Sequence, residues 1–261
     1  MRCTILASGS KGNCMLIECD AGSLLLDAGL SAREILRRLA ITGRAPDTIE
    51  AVLVTHEHGD HIAGADVLSR SLDIPVCATE GTLHEFLARR TSGRAIRTVT
   101  CRYHEKFIIG DFSIEPFTTS HDAAEPCGFT VSGNGAVLGI CTDTGVITDR
   151  IVTTLSRCDG IVLESNHCPV MLKEGPYPES LKRRIRSARG HLSNDDAAEC
   201  LRRLGEDVHK IVLAHLSEVN NTPDKAAASA RSGLGLLYDA ATVIVASQHG
   251  TSADHPQVLY L

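Results

Sequence analysis

The sequence predicts an α/β or α+β protein in which two sheets, or one large sheet, are flanked by helices. Three observations carry this expectation. Short β-like runs recur along most of the 261 residues, helical patterns lie between them in both halves, and no Gly/Ser/Pro-rich tract, low-complexity segment or repeat divides the chain. A single domain over residues 1–261 is the economical organisation.

The strands begin at once, with "CTILAS", "CMLIEC", "SLLLDA" and "EAVLVT". They are separated by the turn "GSKGN", by "DAG" and by a helix "SAREILRRL" with Ser31 at its N-cap. A helix over "HIAGADVLSRS" follows, then helices at "TEGTLHEFLARR" and "ITDRIVTTLS" and strands at "FSIEPFTTS", "CGFTVSG", "AVLGICTDT" and "GIVLES". The last third alternates helix "PESLKRRIRS", helix "SNDDAAECLRRL", strand "KIVLAH", helix "TPDKAAASARSGL" and strand "TVIVAS".

Composition narrows the classes of function. With 43% hydrophobic and 22% charged residues the chain is an ordinary globular protein, and no apolar run approaches the roughly 18 residues of a membrane span. The N-terminus "MRCTILASGSKGN" lacks a secretory core and cleavage site, which points to the cytoplasm. The ten cysteines are scattered without a C-x-x-C pair, as expected for small buried thiols in a reducing compartment. A formal net charge of −6 excludes a general polyanion coat, so the basic run "SLKRRIRSARGH" can only make a local contact.

The densest chemical signal is "THEHGDH", residues 55 to 61, with three histidines and an aspartate at neither helical nor strand spacing. Neutral imidazoles and carboxylates suit a divalent metal. On the turn between strand "EAVLVT" and the following helix, His56 and His58 can face one point while Asp60 and His61 face another. A metal needs further ligands, and His121, Asp143 and His215 each close a predicted strand.

These motifs resemble a known family. "LLLDAGL", "THEHGDH", "TSHDAAEPCGF", "TDTG" and "LAHLS" are similar, in order, to the five motif regions of metallo-β-lactamase-fold hydrolases. "ASGSKGN", "ESNH", "GPYPESLKRRI", "RGHLSN" and "LSEVNNTP" resemble its YycJ/WalJ-like bacterial branch, related to ribonuclease Z and implicated in acting on DNA. The resemblance implies a four-layer αββα sandwich of the α+β class with metals at one edge. Carried over by position, it implies His56, His58 and His121 for a first metal, Asp60, His61 and His215 for a second, and Asp143 between them. Asp27 would support the metal loop by hydrogen bonds without ligating. The donor set suits two divalent ions, zinc ahead of manganese.

Two such ions can share a hydroxide and polarise the oxygen under attack, which is hydrolysis, with Asp60 also orienting the nucleophile. The resemblance to ribonuclease Z gives His191 the role of proton donor or phosphate holder, with Glu164 orienting it and His167 a weaker candidate of the same kind. Lys182, Arg183, Arg184, Arg186 and Arg189 lead into His191 and would hold flanking phosphates. Tyr177 could stack on a base. "GSKGN" reads as a tight turn from which Lys11 and Asn13 can approach the substrate.

The branch pattern is broken at Cys168 and Val219, where relatives tend to carry acids. The stretch from Asp143 to His191 is too short for the nucleic-acid-clamping insertion of the RNA-processing cousins. Together these readings predict a dinuclear metal-dependent phosphodiesterase or nuclease acting on nucleic acid, DNA ahead of RNA and exonuclease-like, with no membrane partner. A thioester or lactone hydrolase of the glyoxalase II type is the alternative. A β-lactamase usually carries a cysteine ligand in the place where Asp143 stands, and a diiron oxidoreductase an acid where His58 stands.

Overall fold

A computed structural model describes residues 1–20, 22–250, 252 and 257–261. Fourteen strands and nine α-helices are found among them. One sheet contains β1 (Arg2–Ala7), β2 (Cys14–Glu18), β3 (Ser23–Leu26), β4 (Ile49–Leu53), β5 (Val76–Thr79), β6 (Thr98–Cys101) and β14 (Val258–Tyr260), in the order β14-β1-β2-β3-β4-β5-β6. The other contains β7 (Phe107–Ile109), β8 (Phe112–Thr118), β9 (Cys127–Gly133), β10 (Ala136–Cys141), β11 (Gly160–Glu164), β12 (Lys210–Ala214) and β13 (Thr242–Val245), in the order β13-β12-β11-β10-β9-β8-β7. The choice left open by the sequence is therefore resolved in favour of two sheets.

Strand alternation builds the layers. Ile5, Ile17, Leu24, Leu26, Leu53, Phe112, Phe129, Val162 and Val212 share the core between the sheets. Their neighbours point the other way. Leu6, Leu16, Leu25 and Val52 pack outward with Ile35 and Leu39 of helix α1 (Ala32–Ile41), Leu68 of α3 (Ala65–Leu72) and Phe86 of α4 (Glu80–Arg89). Ile161, Leu163, Ile211 and Leu213 pack against α5 (Asp149–Leu155), α8 (Asn194–Leu204) and α9 (Pro223–Leu234). Strands covered on both faces read as continuous apolar runs such as "SLLL" and "GIVL", and the result is the αββα sandwich.

Ser31 caps α1 as expected, its side chain accepting from the Glu34 N–H at 3.3 Å. The helix expected over "HIAGADVLSRS" is instead two, α2 (Gly59–Ile62) and α3. Gly64 marks the break, because its N–H donates to Ala28 O at 2.8 Å and a Cβ there would lie 2.4 Å from Leu30 O. Strands β5, β6, β7 and β14 and helix α6 (Pro169–Glu174) have three to six residues each, too few to show a period in sequence. Nine of the ten cysteines are buried, Cys168 is half-buried, and all are free thiols. Among the described residues no helix is long and apolar enough to cross a membrane.

Parallel pairing positions the site. β3, β4, β5 and β6 are successively parallel, as are β10, β11, β12 and β13. The carboxyl ends of such strands open onto a crevice, the usual place for ligands in parallel sheets. The segments bearing Asp27, His56, Asp143, Glu164 and His215 all emerge from those ends.

Candidate metal centre

Asp27 follows β3, Asp143 follows β10 and His215 follows β12, and each has left-handed backbone, with φ of 56°, 55° and 57°. None is glycine, so each carries a conformational cost of about 1–3 kcal/mol that the surrounding structure must hold in place. Asp143 and His215 line one cavity of about 230 Å³, together with His58, Asp60, His121, His191 and Arg184.

The expected ligand-type side chains converge there. His56, His58 and His121 bring one nitrogen each within 4.8 Å of the others, and so do the donor atoms of Asp60, His61 and His215. Asp143 lies among both sets: Oδ2 is 3.5 Å from His61 Nε2, and Oδ1 is 3.9 Å from His121 Nε2 and 3.2 Å from His215 Nδ1. Glu164 and His191 form a further group with Asp143 and His215.

Neighbours decide which nitrogen each imidazole presents. Asp27 Oδ2 holds His61 Nδ1 at 2.8 Å while also accepting from the Thr55 hydroxyl, so Nε2 is left toward Asp60 and Asp143. Gly190 O holds His121 Nδ1 at 2.9 Å. Such bonds fix ring orientation and tautomer in metal sites. Asp27 thus lies behind the loop of residues 55–61, bonded to His61 and Thr55.

The loop itself depends on two close approaches. The Asn13 N–H donates to Asp60 O at 2.8 Å, and its Nδ2 lies 3.2 Å from His61 Nε2 and 3.5 Å from Asp60 Oδ2. A Cβ on Gly29 would stand 1.7 Å from Asp60 O, so only glycine lets the "DAG" turn pack there. "GSKGN" is therefore more than a turn: Asn13 grips the metal loop, whereas Lys11 points outward, paired with Glu218 at 2.6 Å. Thr55 was also missed in sequence, although its place directly before His56 is the signal. Its hydroxyl lies 3.1 Å from His56 Nδ1 and 3.2 Å from His61 Nδ1.

The electrostatics favour a bound cation. Burial and then the neighbouring imidazoles push His56 well below its ordinary value, leaving it neutral and able to ligate. Burial lowers His61 too, but Asp27 and Asp143 outweigh it and raise the ring to about 9, a field that seeks positive charge. Burial raises Asp60, yet the nearby His215, 3.7 Å away, and the charge of His61 outweigh it and keep the carboxyl below the ordinary carboxylate range. Asp143 Oδ2 and His215 Nε2 are buried without a hydrogen-bond partner. Buried orphan donor atoms of ligand type within such a cluster fit divalent metal, and the all-N/O set matches borderline or hard ions.

The predicted chemical residues divide. His191 is near the metal cluster, its Nδ1 2.8 Å from Glu164 Oε1. The same oxygen is 2.9 Å from His215 Nδ1, and Glu164 Oε2 accepts from the Thr144 and Leu192 N–H groups. Burial raises the fully enclosed Glu164, but His191 and His215 more than offset this and hold it ionised. His167 is buried with Nδ1 unpartnered and does not line the cavity. Cys168 and exposed Val219 do not line it either.

The basic run is not one surface. Helix α7 (Glu179–Ile185) carries Arg184 to the cavity, pinned by Asp122 Oδ2 at 2.5 Å. Lys182, expected to hold phosphate, is a correction: it is buried, and its Nζ donates to Lys173 O at 2.8 Å and lies 3.2 Å from Glu179. Arg189 Nε donates to His121 O at 3.2 Å, and Arg186 Nε to Lys182 O at 3.3 Å. Arg183 is exposed outside the cavity. A helix turns about 100° per residue, so consecutive cations cannot share one face. Tyr177 does line the cavity.

Comparison with known proteins agrees with this architecture. The family model described as "Beta-lactamase superfamily domain" matches residues 23–216. The chain is 40% identical over 228 residues to a Bacillus anthracis protein named exodeoxyribonuclease YycJ, covering 85% of each. It is 38% identical over 226 residues to exodeoxyribonuclease WalJ of Streptococcus pneumoniae, covering 85% of this chain and 84% of that one. Among solved structures, zinc-bound PqqB from Methylobacterium extorquens superposes over 100% of both chains with a TM-score of 0.76 at 17% identity, a likeness of fold.

Proposed function

Because the chain is an enzyme of the metallo-β-lactamase-fold hydrolase family, in the YycJ/WalJ-like branch, we propose that it is a dinuclear exonuclease-type phosphodiesterase acting on DNA ahead of RNA. One observation carries the reading: His191 and a pinned arginine, Arg184, line the same cavity as His58, Asp60, His121, Asp143 and His215 of the metal-ligand candidates. Arg184 supplies a fork suited to a phosphate oxyanion, which favours a phosphodiester over a neutral lactone. The relatives named exodeoxyribonuclease support the substrate class.

His56, His58 and His121 would hold one divalent ion, Asp60, His61 and His215 a second, and Asp143 both, with zinc favoured by five imidazoles and manganese the alternative. When bound, such ions make water acidic at neutral pH and stabilise charge on the phosphoryl oxygens. Asp60, kept ionised, accepts a hydrogen bond from the attacking water and aims it. Arg184, held by Asp122, presents its remaining N–H donors to a phosphate in the fork geometry that suits oxyanions. Glu164 holds His191 by Nδ1, so Nε2 is the nitrogen left to deliver a proton to the leaving oxygen.

The test is hydrolysis by metal-loaded protein of end-labelled DNA and RNA beside a thioester. Stepwise release of nucleotides from a DNA end is the expected result. Thioester cleavage with intact nucleic acid would overturn the reading in favour of the glyoxalase II type.

A further inference from the structure

The cavity has two unlike walls. His58, Asp60, His121, Asp143, His215 and His191 make a polar one, and Tyr177, Leu181 and Ile185 contribute apolar surface to the same space. Those three sit on α7 or immediately before it, in the segment joining β11 to α8. The segment is firmly mounted. A Cβ on Gly175 would meet Asn220 Oδ1 at 2.5 Å, Arg184 is tied to Asp122, and the His191 N–H donates to Ile185 O at 2.9 Å. One on Gly190 would lie 2.1 Å from Ile185 O, so the helix end and the strap carrying His191 are in tight contact.

A cavity of about 230 Å³ is smaller than the roughly 300–1,000 Å³ of drug-sized ligand sites, so it has no room for a stretch of strand. A nucleotide has the same two-sided character, an anionic phosphate and an apolar ring face. We propose that Tyr177, backed by Leu181 and Ile185, is the surface on which the base of the departing nucleotide stacks, which makes it a specificity-determining residue. This rests on the nuclease reading above. Leu181 and Ile185 offer no side-chain hydrogen-bond group to read base edges, so stacking on this segment selects for the presence of a base and not for its identity.

The experiment compares metal-loaded parent, Tyr177→Ala and Tyr177→Phe on two end-labelled DNAs, one ordinary and one lacking the base of the terminal nucleotide. The parent should prefer the ordinary end in kcat/KM by roughly 5- to 150-fold, the range of base–aromatic stacking. Tyr177→Phe should keep that ratio, and Tyr177→Ala should bring it near one. A parent ratio of one, or a Tyr177→Ala variant slowed equally on both substrates, overturns the stacking wall while the nuclease reading stands. A parent that cleaves a thioester and neither DNA overturns both.

Discussion

Glu164 Oε1 lies 2.8 Å from His191 Nδ1, and by its other contact at 2.9 Å the same oxygen steadies His215. One buried carboxylate thus couples the proposed proton donor to a proposed metal ligand. The two roles separate by mutation. His191→Ala should keep its metal and lose roughly 10²–10⁴ in turnover, the contribution of a general acid or base. Glu164→Gln should lose roughly 10- to 100-fold in metal affinity or activity, the usual cost of a support behind the ligands. Metal analysis beside turnover distinguishes them, and metal loss in His191→Ala would make that residue a ligand.

Asp143 stands among both ligand sets, with one oxygen unpartnered. Protein purified without chelator should hold close to two metal equivalents, and Asp143→Ala should lose most of both. Two equivalents retained in that variant would remove the bridge.

Of the cations on and after α7, Arg184 is the one that lines the cavity. Arg184→Ala should raise the apparent KM on DNA and reduce the log–log salt slope by about 0.9, one phosphate's share on duplex DNA. Arg183→Ala should change the slope by much less. Equal effects of the two would mean that phosphate is held outside the cavity. Lys182→Met should leave the slope alone, because its ammonium lies against Lys173 O.

Burial lowers His167 to about 4 from an ordinary value near 6.5, so it is neutral in the fold and takes up a proton more readily when unfolded. Between those values the unfolded state binds more protons, and stability therefore falls as pH drops from about 6.5 toward 4, by at most about 1.4 kcal/mol per pH unit for this group. Denaturant titrations of metal-free protein at several pH values check this. His167→Gln should flatten the dependence in that window, and an unchanged slope would assign the effect to other groups.

Much of this protein was legible in the chain itself. Apolar runs at strand length and the cap at Ser31 determine most elements, because period and capping are local properties. The crowding of "THEHGDH" and the closure of separate strands by His121, Asp143 and His215 pointed to one metal centre. What tertiary structure alone decided is distance and exposure across the chain. Asn13 reaches the metal loop 47 residues away, Gly190 O fixes His121 across 69, and Glu164 serves both His191 and His215. The run "KRRIR" reads as one cationic stripe, yet helical rotation buries Lys182, sends Arg183 outward and gives the cavity Arg184. Residue type sets what a side chain can do, but only packing sets which solvent, partner and cavity it meets.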